Sequence, residues 1–168
     1  MPSQTFQRLT PEKKDRITSA LLSEYSQRPL ALAQVAPIVK EAQIARGAFY
    51  KYFADQKDAY QYLYQLALKE IHADTQNLPL TKETVDVFVE QTRLFLDTVA
   101  TCKYRNLIKL HTLYNAAYLG EKPLPIQLPP EIWATANLCH QAIKDVMLAP
   151  ETKEAVLDRL KATLQKLA

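Results

Sequence analysis

Residues 38–53, IVKEAQIARGAFYKYF, constrain the fold more than any other part of the sequence. Apolar residues recur there at helical spacing in two short runs, which are Ile38, Val39 and Ala42, then Ala45, Phe49 and Phe53. Each run makes one apolar face along a helix. The stretch therefore predicts two short helices that bury these faces against each other across a tight turn, with Ile44 filling the turn.

The outward residues of the second predicted helix have chemistry suited to DNA. They are Arg46, Gly47, Ala48, Tyr50, Lys51 and Tyr52. In a major groove an Arg can bond guanine edges, Tyr and Lys can hold phosphates, and small residues permit close approach. The spacing is also that of a helix-turn-helix, in which the second helix reads DNA. Any pair of packed short helices would have this spacing, so an ordinary helical hairpin is the alternative.

The ordered string IARGAFYKYF, residues 44–53, resembles the reading helix of the tetracycline repressor (TetR) family of transcriptional regulators. That helix ends in a Phe-Tyr-x-x-Phe pattern, and a Lys follows at the start of the next helix, here Lys57. The resemblance covers about residues 10–65. It implies an all-α protein with a helix-turn-helix DNA-binding domain over residues 1–55 and a helical regulatory and dimerisation domain over residues 56–168.

The resemblance implies a homodimer that binds a palindromic DNA operator, most simply as a repressor. The expected DNA contacts are Arg46, Gly47, Tyr50, Lys51 and Tyr52, with Lys57 on the next helix and Lys40 as a weaker candidate. No cofactor is expected. The chain is not expected to be an enzyme either, because no Ser/His/Asp constellation, glycine-rich phosphate loop or paired-carboxylate motif stands out.

Three positions depart from the family pattern. The family usually has Gly in the turn where this chain has Gln43, and a left-handed backbone there would cost a non-Gly residue roughly 1 kcal/mol. The family favours hydroxyl residues where this chain has Ala45 and Ala48, so two side-chain contacts to DNA are missing. These departures keep a second interpretation open, a helical adaptor that retains the hairpin but regulates through protein contacts.

Composition and charge fit a helical protein whose positive charge lies near the helix-turn-helix. Hydrophobic residues make up 48% of the chain, which has only two Gly. Residues 1–57 hold nine Lys/Arg against five Asp/Glu, whereas residues 58–168 hold twelve against thirteen. A phosphate-binding unit requires such a positive excess. We expect a cytoplasmic protein without signal peptide or membrane span, with Cys102 and Cys139 reduced.

The remaining helices are predicted from capping signals and periodicity. Residues 1–9 are expected to form a mobile arm, and Thr10-Pro11 to open the first helix. A long helix is predicted from Gln56 to about Thr75. Another, at about residues 103–118, is expected to place six side chains on one face, namely Tyr104, Leu107, Ile108, His111, Tyr114 and Tyr118.

The last two predicted helices are amphipathic, and the second has an apolar stripe of Val156, Leu157, Leu160, Leu164 and Leu167. The resemblance implies that this helix pair docks against its copy in a second chain as a four-helix interface. The alternative is that both helices close the core of the monomer.

The middle of the chain is where a small apolar or aromatic effector is expected to bind, among side chains with an apolar body and a polar tip. The candidates are Tyr64, Phe88, Tyr104, His111, Tyr114 and Trp133. Aromatic residues at helical spacing are more often core residues, so a purely structural role is the alternative. His72, His111 and His140 lie on separate predicted helices without the spacing of metal ligands.

Overall fold

The structure is a computed structural model that describes residues 1–71, 78–120 and 126–168. In these ranges the chain forms helices and turns without a β-strand, so the all-α prediction is confirmed. The α-helices are α1 (Gln4–Gln7), α2 (Pro11–Gln27), α3 (Val35–Glu41), α4 (Arg46–Tyr52), α5 (Gln56–Ile71), α6 (Val85–Thr101), α7 (Arg105–Leu110), α8 (Ala116–Leu119), α9 (Pro130–Leu148) and α10 (Lys153–Leu167). Within the described ranges no helix is long and apolar enough to cross a bilayer.

The chain divides into two compact units. Unit 1 contains Met1–Glu70 and Lys103–Glu121, and unit 2 contains Ile71–Cys102 and Lys122–Ala168. The helix-turn-helix therefore shares a unit with a segment from much later in the chain. The predicted functional boundary at residue 55 stays a prediction, and the predicted extension of α5 to Thr75 lies outside the described residues.

Helix α2 forms as its capping signals predict. Thr10 occupies the N-cap position with extended backbone angles, and Pro11 begins the helix, where its missing N–H leaves no hydrogen bond unmade. The apolar stripe of α2 is completely buried in unit 1, at Ile17, Ala20, Leu21 and Tyr25. This helix packs extensively against α3, and so it supports the helix-turn-helix from behind.

The expectation that residues 1–9 form a mobile arm is wrong. Residues Gln4–Gln7 form α1, and the Ser3 side chain caps it by accepting a hydrogen bond from the Phe6 N–H at 3.2 Å. The Phe6 side chain is only 2% exposed. Full burial of a Phe is worth roughly 1.5–3 kcal/mol, so the Phe6 ring contributes to the ordering of this segment together with its hydrogen bonds.

A π-helical turn, His111–Asn115, connects α7 to α8 and corrects the predicted face of this segment. A π turn contains one residue more than an α turn, so residues beyond it are rotated relative to a continuous α-helix. Tyr104, Leu107 and Ile108 are buried before the turn as predicted. Within the turn Asn115 takes the inward position and Tyr114 is 54% exposed, and beyond it Tyr118 is 48% exposed.

Unit 2 has a core built by α6, α9 and α10. Its buried residues are Leu80, Val85, Val89, Leu96, Ala142, Val146, Val156, Leu157, Leu160 and Leu164. Nearly all of the predicted apolar stripe of α10 is thus used inside unit 2, and only Leu167 remains 50% exposed. Any dimer contact made by α9 and α10 must therefore use their outer faces.

Candidate nucleic-acid interface

Helices α3 and α4 form the predicted helix-turn-helix. The predicted inward residues Ile38, Ala42, Phe49 and Phe53 are each no more than 1% exposed. Val39 is half-buried, and Ala45 is exposed at the N-cap of α4 rather than inside the contact. The aromatic side chains anchor α4 from its inner side, which leaves the other side free.

The turn between α3 and α4 has a left-handed residue at Gln43, with φ of 52°. It is the position at which the family usually has Gly. Two backbone hydrogen bonds close the turn, from Gln43 N to Lys40 O at 3.2 Å and from Ile44 N to Val39 O at 3.0 Å. Arg16 of α2 adds a third contact by donating from Nε to Ala42 O at 2.8 Å. The turn therefore places a residue with a Cβ in a left-handed backbone conformation, at the expense of backbone strain.

The outer side of α4 presents the predicted polar side chains. Arg46 and Lys51 are exposed, and Tyr50 is 49% exposed. Residues four positions apart lie near one another on a helix surface, so Arg46 and Tyr50 share one side of α4, and Lys51 follows Tyr50 around the helix. Lys40 is also exposed, in the last turn of α3. The geometry offers two cations and a phenol hydroxyl on a short, uncovered helix.

Gly47 has no role in the packing of the chain itself. A Cβ placed there would meet no heavy atom within 4 Å, and its φ is not in the left-handed region. A glycine inside a helix lowers stability by roughly 0.5–1 kcal/mol relative to Ala. The glycine at this position is therefore unexplained by folding, and it leaves the backbone open to close approach from outside.

The prediction that Tyr52 faces outward is wrong. Its side chain is only 6% exposed, and its ring lies edge-on against that of Phe6, with the centroids 5.9 Å apart. The reason is the folded N-terminal segment, which supplies an aromatic partner that the local sequence does not reveal. Tyr52 consequently supports α4 from within unit 1.

Lys57 lies in the first turn of α5 and is exposed, as predicted. Its Nζ sits 4.9 Å from the centroid of the Tyr118 ring, a cation–π contact. Such contacts are worth roughly 0.5–1 kcal/mol at exposed sites, so the lysine can leave the ring for a stronger partner. The rotation caused by the π turn is what brings Tyr118 to the surface here.

Comparisons with known proteins agree with this geometry at the level of fold. No family profile and no curated protein matches the sequence. Among solved structures, the chain is similar to the 2.56 Å crystal structure of a TetR family transcriptional regulator from Chloroflexus aurantiacus J-10-FL. The TM-score is 0.60 and the identity 18%, over 99% of this chain and 97% of the other. The chain has the fold of a TetR family regulator.

Within this TetR fold, two of the six predicted effector contacts are stacked in unit 1. The rings of Tyr64 and His111 lie 3.7 Å apart between centroids and nearly parallel, at 18°. Tyr60 forms a hydrogen bond to His111 Nδ1 at 3.1 Å. Burial lowers the pKa of His111 to about 4 and raises the pKa of Tyr64 to about 12, so both are neutral at pH 7.

The other four effector candidates are dispersed. The Tyr104 hydroxyl donates to Glu70 Oε1 at 2.7 Å. Tyr114 is 54% exposed, for the reason given above. Phe88 and Trp133 belong to unit 2, where Phe88 packs against the core and Trp133 is 53% exposed. Within each unit, then, only Tyr64 and His111 form an aromatic group from the predicted set.

No group of three His, Cys, Asp or Glu side chains among the described residues could hold a metal ion. His72 lies outside those residues. Cys102 and Cys139 are both free and half-buried, and burial raises the pKa of the Cys139 thiol. A raised pKa disfavours the reactive thiolate.

Sequence patterns missed four residues around this site. Ser3 and Phe6 contact or support α4, Tyr118 contacts Lys57, and Asn115 joins the π turn to the rest of unit 1. A capping signal at Ser3 was available, because Ser is a preferred N-cap residue. The other three depend on contacts between segments distant in the chain, for which a single sequence has no local signal.

Proposed function

We propose that this chain is a DNA-binding transcriptional regulator of the TetR family, most simply a repressor. The observation that carries the proposal is the uncovered outer side of α4, with Arg46, Tyr50 and Lys51 exposed while Phe49 anchors the helix. The TetR fold over the whole chain supports it, because the solved structure of that fold is named as a transcriptional regulator.

The DNA contacts follow from the chemistry of each side chain. Arg46 is assigned to base edges, where a guanidinium can bond guanine O6 and N7 together. Tyr50 and Lys51 are assigned to phosphates, and the open backbone at Gly47 to close approach. Lys57 meets a phosphate at the positive end of the α5 dipole, and Lys40 adds a weaker contact. Tyr52 is not in this set, because its ring is buried.

We propose a homodimer formed through the outer faces of α9 and α10. These faces include exposed apolar side chains at Trp133 and Leu148 on α9, and small exposed residues at Ala155 and Ala162 on α10. A twofold dimer would read a palindrome with half-sites about 34 Å apart or a comparable spacing. Analytical ultracentrifugation at micromolar concentration tests this proposal. The wild-type protein should sediment as a dimer, and Ala162→Arg should sediment as a monomer. A wild-type protein that sediments as a monomer would contradict the proposal.

We propose the stacked Tyr64 and His111 as the place where a small apolar or aromatic effector would enter. Both are neutral near pH 7 and only partly buried, which suits an uncharged aromatic ring. DNA release by such compounds, followed by fluorescence polarisation with wild type and Tyr64→Ala, tests this part. Equal release from both proteins would place the effector elsewhere.

The experiment that tests the function is selection of bound sequences from random duplex DNA at moderate salt. An enriched palindrome is the expected result. Binding absent even at low salt would contradict the proposal, because a phosphate-contacting reader binds more tightly as salt falls. That outcome would favour the helical adaptor, which the missing hydroxyls at Ala45 and Ala48 support.

A further inference from the structure

The N-terminal segment is joined to the carboxyl end of α4 by one serine. Ser3 donates from Oγ to Lys51 O at 2.7 Å and from its backbone N to Tyr52 O at 2.9 Å. The last carbonyls of a helix have no partner inside the helix. Ser3 therefore satisfies two of the carbonyls that α4 leaves open, while the same hydroxyl caps α1.

Phe6 fixes the position of this serine. Its ring lies 4.9 Å from that of Phe53 and 5.0 Å from that of Tyr62, between centroids, in addition to its contact with Tyr52. These are favourable distances for aromatic pairs. We call Ser3 and Phe6 together the N-terminal brace. The ring anchors the segment in the core of unit 1, and the serine then reaches the end of α4.

The end of α4 needs such support. The helix has only seven residues, and Phe53 leaves it at once with extended backbone angles. Helices this short are unstable alone, and their ends fray first. Lys51 lies in this last turn, with its side chain exposed and its carbonyl oxygen bonded to Ser3. The brace thus holds the backbone that carries one of the two cations on α4.

We propose that the N-terminal brace holds the last turn of α4 in helical form and so positions Lys51 to contact a DNA phosphate. Ser3 and Phe6 are positioning residues in this proposal, since they act through Lys51 rather than on DNA. The DNA part rests on the proposed function, whereas the effect on the last turn of α4 does not.

The first measurement is amide hydrogen exchange on wild type, Ser3→Ala and Ser3→Thr. The Phe53 N–H, which donates to Phe49 O at 2.9 Å at the end of α4, should exchange about tenfold faster in Ser3→Ala. The Ala42 N–H, which donates to Ile38 O at 2.9 Å at the end of α3, is the matched control and should not change. Ser3→Thr keeps the hydroxyl and should exchange as wild type does. Unchanged exchange at Phe53 in Ser3→Ala would overturn the proposal.

The second measurement is a double-mutant cycle in DNA affinity on the operator selected above. Ser3→Ala should weaken DNA binding about threefold to tenfold when it is introduced into the wild-type chain or into the Lys40→Ala variant. This is the size of effect expected from the loss of one capping hydrogen bond. In Lys51→Ala the same change should have less than about a twofold effect. An equal loss in the Lys51→Ala and Lys40→Ala backgrounds would overturn the link to Lys51.

The two measurements separate the proposals. If wild type binds no DNA but Phe53 exchange responds to Ser3→Ala, the proposed function fails, the DNA half of the inference is overturned with it, and the support of α4 stands. If wild type binds DNA and Phe53 exchange does not respond, the function stands and the brace fails. The substitution at Ser3 is used instead of one at Phe6, because removing a buried ring could unfold unit 1.

Discussion

The side-chain amide of Asn115 accepts a hydrogen bond from the backbone N–H of Leu30 at 2.8 Å, across 85 residues of sequence. Its amide nitrogen donates to the Tyr60 hydroxyl at 3.1 Å, which leaves that hydroxyl to donate to His111 Nδ1. This chain of bonds joins the π turn to α5 and to the segment that precedes α3. These hydrogen bonds stabilise the π turn, because Asn115 can form them only from the inward position that the turn gives it.

Replacing Asn115 should destabilise the protein. In Asn115→Leu the Leu30 N–H is left buried without a partner, which should lower the free energy of unfolding by roughly 1–3 kcal/mol. Urea unfolding followed by circular dichroism measures the change. Asn106→Leu, at an exposed position on α7, is the matched control and should change stability by less than about 0.5 kcal/mol. Equal losses in both variants would show that the network contributes nothing.

Stability should fall in acid partly because of His111. Burial lowers its pKa from 6.5 to about 4 in the folded chain, so the unfolded chain binds the extra proton between these values. The folded state should therefore lose stability as pH falls from about 6.5 to about 4, relative to His111→Gln. Unfolding of both proteins across this range, with an NMR titration of the imidazole, provides the test. A His111 resonance that titrates near 6.5 would contradict the prediction.

Replacing Gln43, the left-handed residue of the turn, by glycine should raise the stability of the protein. Gln43→Gly removes the steric penalty of φ 52°, and we expect a gain of roughly 0.5–1 kcal/mol in the free energy of unfolding. Gln43→Ala retains a Cβ and should give no comparable gain, so it separates backbone strain from loss of the glutamine side chain. Thermal unfolding of the two variants beside wild type is sufficient. A gain of equal size in both would contradict the strain explanation.

Gly47→Ala should stabilise the fold and weaken DNA binding at the same time. Open space surrounds the added Cβ, so the gain in helix propensity should be roughly 0.5–1 kcal/mol. In the proposed complex the same methyl group would stand between the α4 backbone and DNA. Unfolding and DNA titration on the same preparation measure both effects. Tighter or unchanged binding would show that DNA does not approach this backbone.

Substitutions of Arg46 and of Lys57 should change DNA binding in different ways. Arg46→Ala should lose roughly 1–3 kcal/mol of binding and relax base preference at one operator position. Lys57→Ala should weaken all sequences alike and reduce the slope of log affinity against log salt by about 1. Sequence selection and salt titrations on both variants distinguish these outcomes. If neither substitution changes DNA binding, the proposed docking of α4 is wrong.

Local features of the candidate site could be predicted because their causes are local. Phe49 and Phe53 face inward since their spacing matches the helical period, and the helix start at Thr10 and Pro11 follows from capping preferences of these two neighbouring residues. Apolar spacing predicted the tight turn, and the left-handed backbone at Gln43 was foreseen only through the resemblance, since the family usually has Gly at that position. Periodicity also identified the apolar stripe of α10, but could not say which surface would cover it.

The sequence by itself thus determined the longer helices, the helix-turn-helix and the polar residues Arg46, Tyr50 and Lys51 on its outer side, but not helix α1. Only the tertiary structure decided that Tyr52 turns inward, that Asn115 replaces Tyr114 on the inner face, and that Ser3 supports α4. The physical reason is the distance along the chain over which each interaction acts. Helical periodicity, capping and backbone sterics act over a few residues, whereas burial of Tyr52 and the π turn depend on partners brought together by folding.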